Sequence, residues 1–149
     1  MNIRKAKRGD EGFLIEMVKE LARYENEPEA VENTAEKLAK DLFDDEMCEA
    51  VLLEKDGNPI GFAIYYTSYS TWKGPCLYLE DLYVKPDHRR MNAGGMLFDY
   101  LVNLAKERGF ARMDWQVLDW NESAINFYKK KGARIDTDWC NGRMIFSGD

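Results

Sequence analysis

Residues 77–108 read LYLEDLYVKPDHRRMNAGGMLFDYLVNLAKER, and their reading decides the fold. Tyr78 to Val84 is dense in aromatic and branched side chains, the composition of a strand. Pro86 ends that strand, because proline has no N–H to give to a ladder. From Gly94 the period changes. Leu97, Leu101, Leu104 and Ala105 recur at helical spacing, and Phe98 and Val102 widen the stripe. Between the two stands DHRRMNAGG. A loop of small residues feeding a helix offers unpaired backbone N–H groups and the positive end of the helix dipole. It therefore predicts an anion site, to which Arg89 and Arg90 add full charges. The competing reading is a turn that only connects two elements. The loop has neither the Gly-Lys-Ser/Thr ending of a P-loop nor a GxGxxG run, so nothing argues for NTP hydrolysis or a dinucleotide.

Upstream, residues 2–6 read as a short strand and Glu11 to Tyr24 as a helix, with Phe13, Leu14, Met17, Leu21 and Ala22 on one face and Asp10 placed to cap it. ENEPEAVEN is an acidic loop. Asn33 and Glu36 have the spacing of a capping box opening a second helix, Thr34 to Phe43. Ala50 to Lys55 and Pro59 to Tyr69 read as strands joined by Asp56-Gly57, a strong hairpin signal. Downstream, Ala111 to Leu118 alternates Met113, Trp115 and Val117 as a strand does. Asn121 opens a helix with Ala124, Ile125 and Tyr128 on one face, closed by Gly132. Residues 134–137 and 142–147 read as closing strands. Strands mixed with helices predict an α/β layered domain.

The 149 residues carry a net charge of −6, with 45% hydrophobic and 32% charged side chains, an ordinary balance for one domain with a real core. No apolar run approaches the roughly 20 residues of a membrane helix, and the N-terminus has no signal-peptide apolar region. Cys48, Cys76 and Cys140 stand far apart, which predicts a reducing, cytoplasmic setting without a disulfide framework. His88 is the only histidine and reads as solvated loop; it can build neither a histidine–carboxylate zinc cluster nor a convincing Ser-His-Asp triad. Residues 19–56 hold thirteen acidic and five basic side chains, and residues 85–134 hold ten basic and six acidic. Solvated helix faces would explain this. So would a basic part for an anionic cofactor and an acidic part for a cationic substrate. The overall sign disfavours nucleic acid.

Arg89–x–x–Asn92–x–Gly94 resembles the Arg/Gln–x–x–Gly–x–Gly/Ala loop of the GNAT acyl-CoA N-acetyltransferases. YSTWKG (69–74), YLEDLYV (78–84) and VLDWNESAINFYKKKGA (117–133) resemble the spermidine/spermine and thialysine acetyltransferase branch. The resemblance runs from Ile3 to about Phe146. It implies a single domain over residues 1–149, with a mixed, mostly antiparallel central sheet flanked by helices. The fourth and fifth strands would splay, with the pantetheine arm of acetyl-CoA between them. It implies no metal, and a homodimer. Asn92 stands where the family's first glycine is expected, and asparagine best tolerates the positive φ that glycine supplies. Together with Arg90 and Ala93, that departure leaves either an intact loop or one with weakened coenzyme affinity.

Acetyl transfer to an amine needs a base route, stabilisation of the thioester oxygen and an acid for the leaving thiolate. A lysine-like amine of pKa about 10.4 is only about 0.04% neutral at pH 7, so losing its proton costs roughly 4.6 kcal/mol there. Strict alternation puts Tyr78, Glu80, Leu82 and Val84 on one face and Leu79, Asp81 and Tyr83 on the other. Glu80 on a covered strand is either a carboxylate satisfied by a partner or a base with a raised pKa. Tyr128 is either a core tyrosine or an acid. The resemblance assigns Glu80 the base role, acting through water, and Tyr128 the acid role beside the coenzyme sulfur.

The resemblance also gives Leu82, Tyr83 and Val84 to the pantetheine arm by backbone pairing. Arg89, Arg90, Met91, Asn92, Ala93, Gly94 and Gly95 go to the pyrophosphate. Asn121, Glu122, Ser123 and Ala124, opening the last helix, also meet the coenzyme. Tyr24, Glu25, Asp81, Asp114, Trp115 and Gln116, with Glu80, line the acceptor channel. Ser70 stands where the polyamine enzymes tend to carry an acid, which favours a small thialysine- or lysine-like amine over spermidine or spermine. The rivals are a polyamine acceptor, a protein lysine or N-terminal amine, and a non-catalytic coenzyme-binding module.

Overall fold

Five strands form one mixed sheet in the order β1-β2-β3-β4-β5. They are β1 Asn2–Lys5, β2 Glu49–Lys55, β3 Asn58–Ser70, β4 Gly74–Val84 and β5 Met113–Trp115. The first four are antiparallel neighbours, and β5 lies parallel to β4. The helices are α1 Glu11–Tyr24, α2 Ala35–Ala39, α3 Ala93–Glu107 and α4 Glu122–Lys130. This is the α/β class expected. The computed structural model describes residues 1–147. The chain divides into two compact units, Met1–Trp115 and a second beginning at Gln116.

The β2–β3 hairpin forms where the sequence places it. Asp56 and Gly57 both take positive φ, 53° and 80°, and their twist matches that of the strands. One sheet face is covered by α1, α2 and the turn that follows α2: Leu14, Ile15, Met17, Leu38 and Leu42 bury Ala50, Leu52, Phe62, Ile64 and Tyr83. Full burial stabilises each large aliphatic side chain by ~1.5–3 kcal/mol. Leu97 and Leu101 of α3 are fully buried. Neighbouring β4 leaves no room for a side chain at Gly61, where a Cβ would stand 2.8 Å from the Tyr83 carbonyl oxygen, with Leu97 Cδ1 of α3 at 3.4 Å. Gly61→Ala is therefore expected to destabilise the protein by ~1–3 kcal/mol through overpacking against backbone. An unchanged urea midpoint would show that the strand yields there without cost.

Several local expectations give way to longer-range contacts. Asp10 does not cap α1 through its side chain. Its carboxylate takes two hydrogen bonds from Arg4, at 2.7 and 2.9 Å, and one from the Lys7 N–H at 2.8 Å. A bidentate guanidinium outcompetes a cap bond. Thr34, not Asn33, caps α2, its hydroxyl accepting from the Lys37 N–H at 3.2 Å. Beyond α2 the backbone widens into a π-helical turn, Lys40–Asp44, so the expected single helix to Phe43 is two kinds of turn in series. Phe13, expected on the apolar face of α1, is 53% exposed, and Ile15 is buried in the core instead.

The strand expected over Ala111 to Leu118 is only β5, three residues long, and Val117 lies outside it. Residues 134–137 and 142–147 form no strand, so the two closing strands are absent among the described residues. In the second unit, α4 is capped as predicted: Asn121 Oδ1 accepts from the Ala124 N–H at 3.2 Å. Gly132, at φ +92°, ends it. The Ala133 N–H reaches the Tyr128 carbonyl, and the Gly132 N–H reaches the Lys129 carbonyl, both at 3.0 Å.

Candidate active site

The site begins with one extra residue. Tyr65 pairs with Leu79 and Ile64 with Asp81, so Glu80 has no partner on β3 and forms a β-bulge. A bulge reverses alternation beyond it. Residues opposite one another share a face, so Asp81, opposite Ile64, and Tyr83, opposite Phe62, lie on the α1 face. Tyr78, opposite Tyr66, lies on that face too, and Glu80 two residues on from it. The expected division, with Glu80 and Asp81 on opposite faces, is therefore incorrect. Both carboxylates stand on the α1 side, and Leu79, Leu82 and Val84 stand on the α3 side.

The electrostatics follow this placement. Asp81 is half-buried, and its carboxyl is pushed up to about 7, first by burial and then by the charges of Glu80 and Glu25. Burial also raises Glu25, which follows directly on α1. Glu80 itself is exposed. The apolar surroundings expected for Glu80 belong instead to Asp81. The Glu80 charge also helps raise Cys48, Tyr66 and Tyr78, in each case behind burial. The rings of Tyr66 and Tyr78 lie 5.1 Å apart beside it. No ion pair or hydrogen bond holds Glu25, Glu80 or Asp81 among the described residues. Half-buried carboxylates without a cation are costly, and a cationic ligand relieves that cost.

An open strand edge adjoins this face. β5 pairs with β4 only as far as Leu79–Trp115. From Glu80 to Val84, β4 has no strand on that side among the described residues. The Lys85 N–H bonds to Ile60 of β3 at 2.8 Å, so alternation turns the backbone groups of Val84 and Leu82 towards the open edge. The backbone of Tyr83 faces β3 instead, which narrows the pairing expected of residues 82–84 to Leu82 and Val84. The Val84 carbonyl already accepts from Arg89 Nε at 2.9 Å.

The loop after β4 is a 3₁₀ turn, Pro86–Met91, followed by Asn92 in the left-handed region at φ 59°. Asn92 thus takes the conformation anticipated for the missing glycine. Its amide folds over Gly95, with Oδ1 2.2 Å from where a Cβ on Gly95 would stand. Ala93, Gly94 and Gly95 form the first turn of α3, with no acidic side chain in it. Their free N–H groups suit a phosphate. Arg90 is exposed, and Met91 Sδ lies 3.8 Å from Lys55 Nζ. His88 is not a solvated loop residue: it is half-buried, with Nδ1 enclosed and without a hydrogen-bond partner. Nothing in the structure explains that nitrogen.

The remaining candidates lie on other elements. Tyr24 ends α1. Asp114 is paired with Arg112 at 2.9 Å, and the Trp115 ring meets Phe98 edge-on at 5.3 Å. In the second unit, Gln116 donates to Asn141 at 2.8 Å. There Glu122, Ser123 and Ala124 form the first turn of α4, and the Tyr128 ring meets Phe127 at 5.2 Å. Ser70 accepts from the Trp72 and Lys73 N–H groups at 3.2 and 3.1 Å, so its hydroxyl shapes the turn before β4. Sequence reasoning missed the bulge, and no glycine or proline at 79–81 signals it.

Residues 14–133 match the acetyltransferase (GNAT) family. A thialysine N-epsilon-acetyltransferase from Bos taurus is 38% identical, over 91% of this chain and 85% of its own length. A spermidine/spermine N(1)-acetyltransferase-like protein 1 from Homo sapiens is 34% identical over 88% of this chain, though over only 20% of that protein. A crystal structure of a probable acetyltransferase superposes with a TM-score of 0.80, at 22% identity and over the whole of both chains.

Proposed function

The chain belongs to the acetyltransferase (GNAT) family and is an N-acetyltransferase; from this we propose that it carries an acetyl group from acetyl-CoA to a small primary amine of the lysine or thialysine type. The observation that carries the reading is the bulge at Glu80, which puts Glu80 and Asp81 on the α1 face of β4, where the Glu25 charge also acts on Asp81, beside an open strand edge. An alkylammonium meets negative charge there and finds groups able to take its proton. The family match spans both compact units, which supports one functional domain over residues 1–149.

The coenzyme fits what the chain offers. Leu82 and Val84 present backbone groups for its arm, and residues 92–95 present N–H groups for its phosphates. When bound, acetyl-CoA supplies the acyl group as a thioester. Glu80, with Asp81 beside it, receives the ammonium proton directly or through water, which frees the nitrogen lone pair. The Asn-Phe-Tyr-Lys motif assigns Tyr128 the acid that protonates the departing sulfur. The transfer is direct, without an acyl-enzyme.

The test is acetyl transfer to thialysine, lysine, putrescine, spermidine, spermine and a lysine peptide, with products read by mass. Preference for thialysine or lysine is expected. Preference for spermidine would favour the polyamine reading that the human relative keeps open. Coenzyme binding without product on any amine would leave the non-catalytic reading.

A homodimer and a cytoplasmic setting belong to the same reading. Trp139, Met144 and Phe146 are 82%, 81% and 92% exposed, the kind of surface a second copy covers. Sedimentation should then give twice the 17.3 kDa chain mass. No described helix is long and apolar enough to cross a membrane. Cys48, Cys76 and Cys140 are unbridged, which suits a reducing compartment, and cell fractionation checks it.

A further inference from the structure

We propose that Arg112, paired with Asp114, selects the class of acceptor: its guanidinium takes the carboxylate of a free amino acid and turns away the second ammonium of a diamine. The inference deepens the acetyl-transfer reading and rests on it for the place of the reacting amine beside Glu80. The residues themselves lie within the first unit. Tyr78 of β4 stands opposite Asp114 of β5, so Asp114 shares the α1 face with Tyr78 and Glu80. Arg112 precedes Asp114 by two residues, and its Nε donates to Asp114 Oδ2 at 2.9 Å, which keeps the guanidinium on that face. The Leu77 N–H donates to the Arg112 carbonyl at 3.1 Å and carries the ladder on to that residue. Burial pushes the Tyr78 phenol up, and Glu80, Tyr66 and Asp114 push it further, so the four groups stand together. Two residues along β4 and one strand across separate the backbones of Glu80 and Asp114 by about 8 Å, a span that the methylene stem of a lysine covers.

The ion pair leaves donors and an acceptor over. Among the described residues, only Nε of the guanidinium and only Oδ2 of the carboxylate are engaged. The two terminal nitrogens of Arg112 keep the parallel N–H fork that fits a carboxylate bidentately. The side chains are 44% and 36% exposed, so a ligand reaches them. An amino acid of the lysine type carries its carboxylate at the end away from the reacting amine. A diamine carries a second ammonium there, and the guanidinium repels it. Asp114 alone, beside the Tyr66 and Tyr78 rings, would attract that ammonium; Arg112 cancels the attraction. One side chain thus favours one acceptor and disfavours the other, which is how a modest affinity difference becomes a preference.

Three acceptors separate these effects: lysine, lysine amide, and cadaverine, which is lysine without its carboxylate. Kd is measured by calorimetry on protein saturated with coenzyme A, and kcat/KM with acetyl-CoA. The parent is expected to prefer lysine to both others in both measurements. Arg112→Gln should cut the preference for lysine over cadaverine by about ten-fold or more, with kcat for lysine within about two-fold, because the contact is remote from the reacting atoms. Arg112→Lys keeps the charge and loses the fork, so it should weaken lysine and still turn cadaverine away. A parent that binds cadaverine or lysine amide as tightly as lysine overturns the proposal. So does an Arg112→Gln protein that loses affinity for all three alike. The calorimetric arm needs no turnover. Lysine bound selectively through Arg112 but never acetylated would sink the acetyl-transfer reading and keep this one; amines acetylated with no preference for lysine would do the reverse.

Discussion

Glu80→Gln is expected to lower turnover of a lysine-like amine at neutral pH by about 10²-fold, while coenzyme A affinity changes by no more than about two-fold. The bulge makes the effect specific. Glu80 and Asp81 share one face, and Glu80 is one of the charges that raise the Asp81 carboxyl to about 7. A carboxylate must be ionised to accept a proton, so kcat/KM of the parent should fall as pH drops through about 7. Removing the Glu80 charge removes part of what holds Asp81 high, so the acid limb should move to lower pH even as the plateau falls. Identical pH–rate profiles for variant and parent would sink the role of Glu80.

Asp81→Asn gives the complementary result. The folded chain holds the Asp81 proton up to about 7, whereas the unfolded chain releases it near 3.8. Between those values the folded state binds more protons, so this residue's contribution to stability falls as pH rises. Asp81→Asn should therefore raise Tm at pH 8 relative to the parent and leave it nearly unchanged at pH 4, while amine turnover drops. A variant less stable than the parent at pH 8 would mean that Asp81 has a stabilising partner in solution.

Tyr128→Phe is expected to lower kcat by about 10²-fold, with the KM of both substrates within about three-fold. The change removes one oxygen and keeps the ring that meets Phe127 at 5.2 Å. A structural tyrosine would show the loss in thermal stability, and an acid shows it in turnover. The assignment also predicts leaving-group sensitivity. An acyl donor with a more acidic thiol needs less help from the phenol, so the variant's deficit should shrink with it. Unchanged turnover on acetyl-CoA would refute the role.

What the sequence disclosed is what local chemistry dictates. The period change at Gly94, the Asp56-Gly57 turn, the Asn121 cap and the Gly132 stop each depend on neighbours within a few residues, and each appears in the structure. Asn92 was legible because few side chains tolerate its φ. Other features depend on distant partners. Arg4 takes Asp10 from its cap, and β5 stops at Trp115 although the alternation runs on to Val117. In the site, the motif residues were legible as residue types, but which face each occupied was not. A bulge shifts parity by one, and Glu80 has no turn chemistry to announce it. The stacking of Arg89 over the Tyr24 ring was hidden for a similar reason: the two lie 65 positions apart in the chain.

For anyone altering acceptor preference, the bulge sets the counting rule. A library built on strict alternation through 78–83 would pair Glu80 with Leu82 and send changes meant for the amine into the α3 core. Deleting Glu80 would close the ladder between Ile64 and Tyr65 and leave an ordinary, uninterrupted hairpin. Asp81 would then be the only carboxylate of the strand facing α1. Such a protein should fold at least as readily and handle amines poorly, which makes the single-residue deletion a clean scaffold for rebuilding the acceptor side from a neutral start.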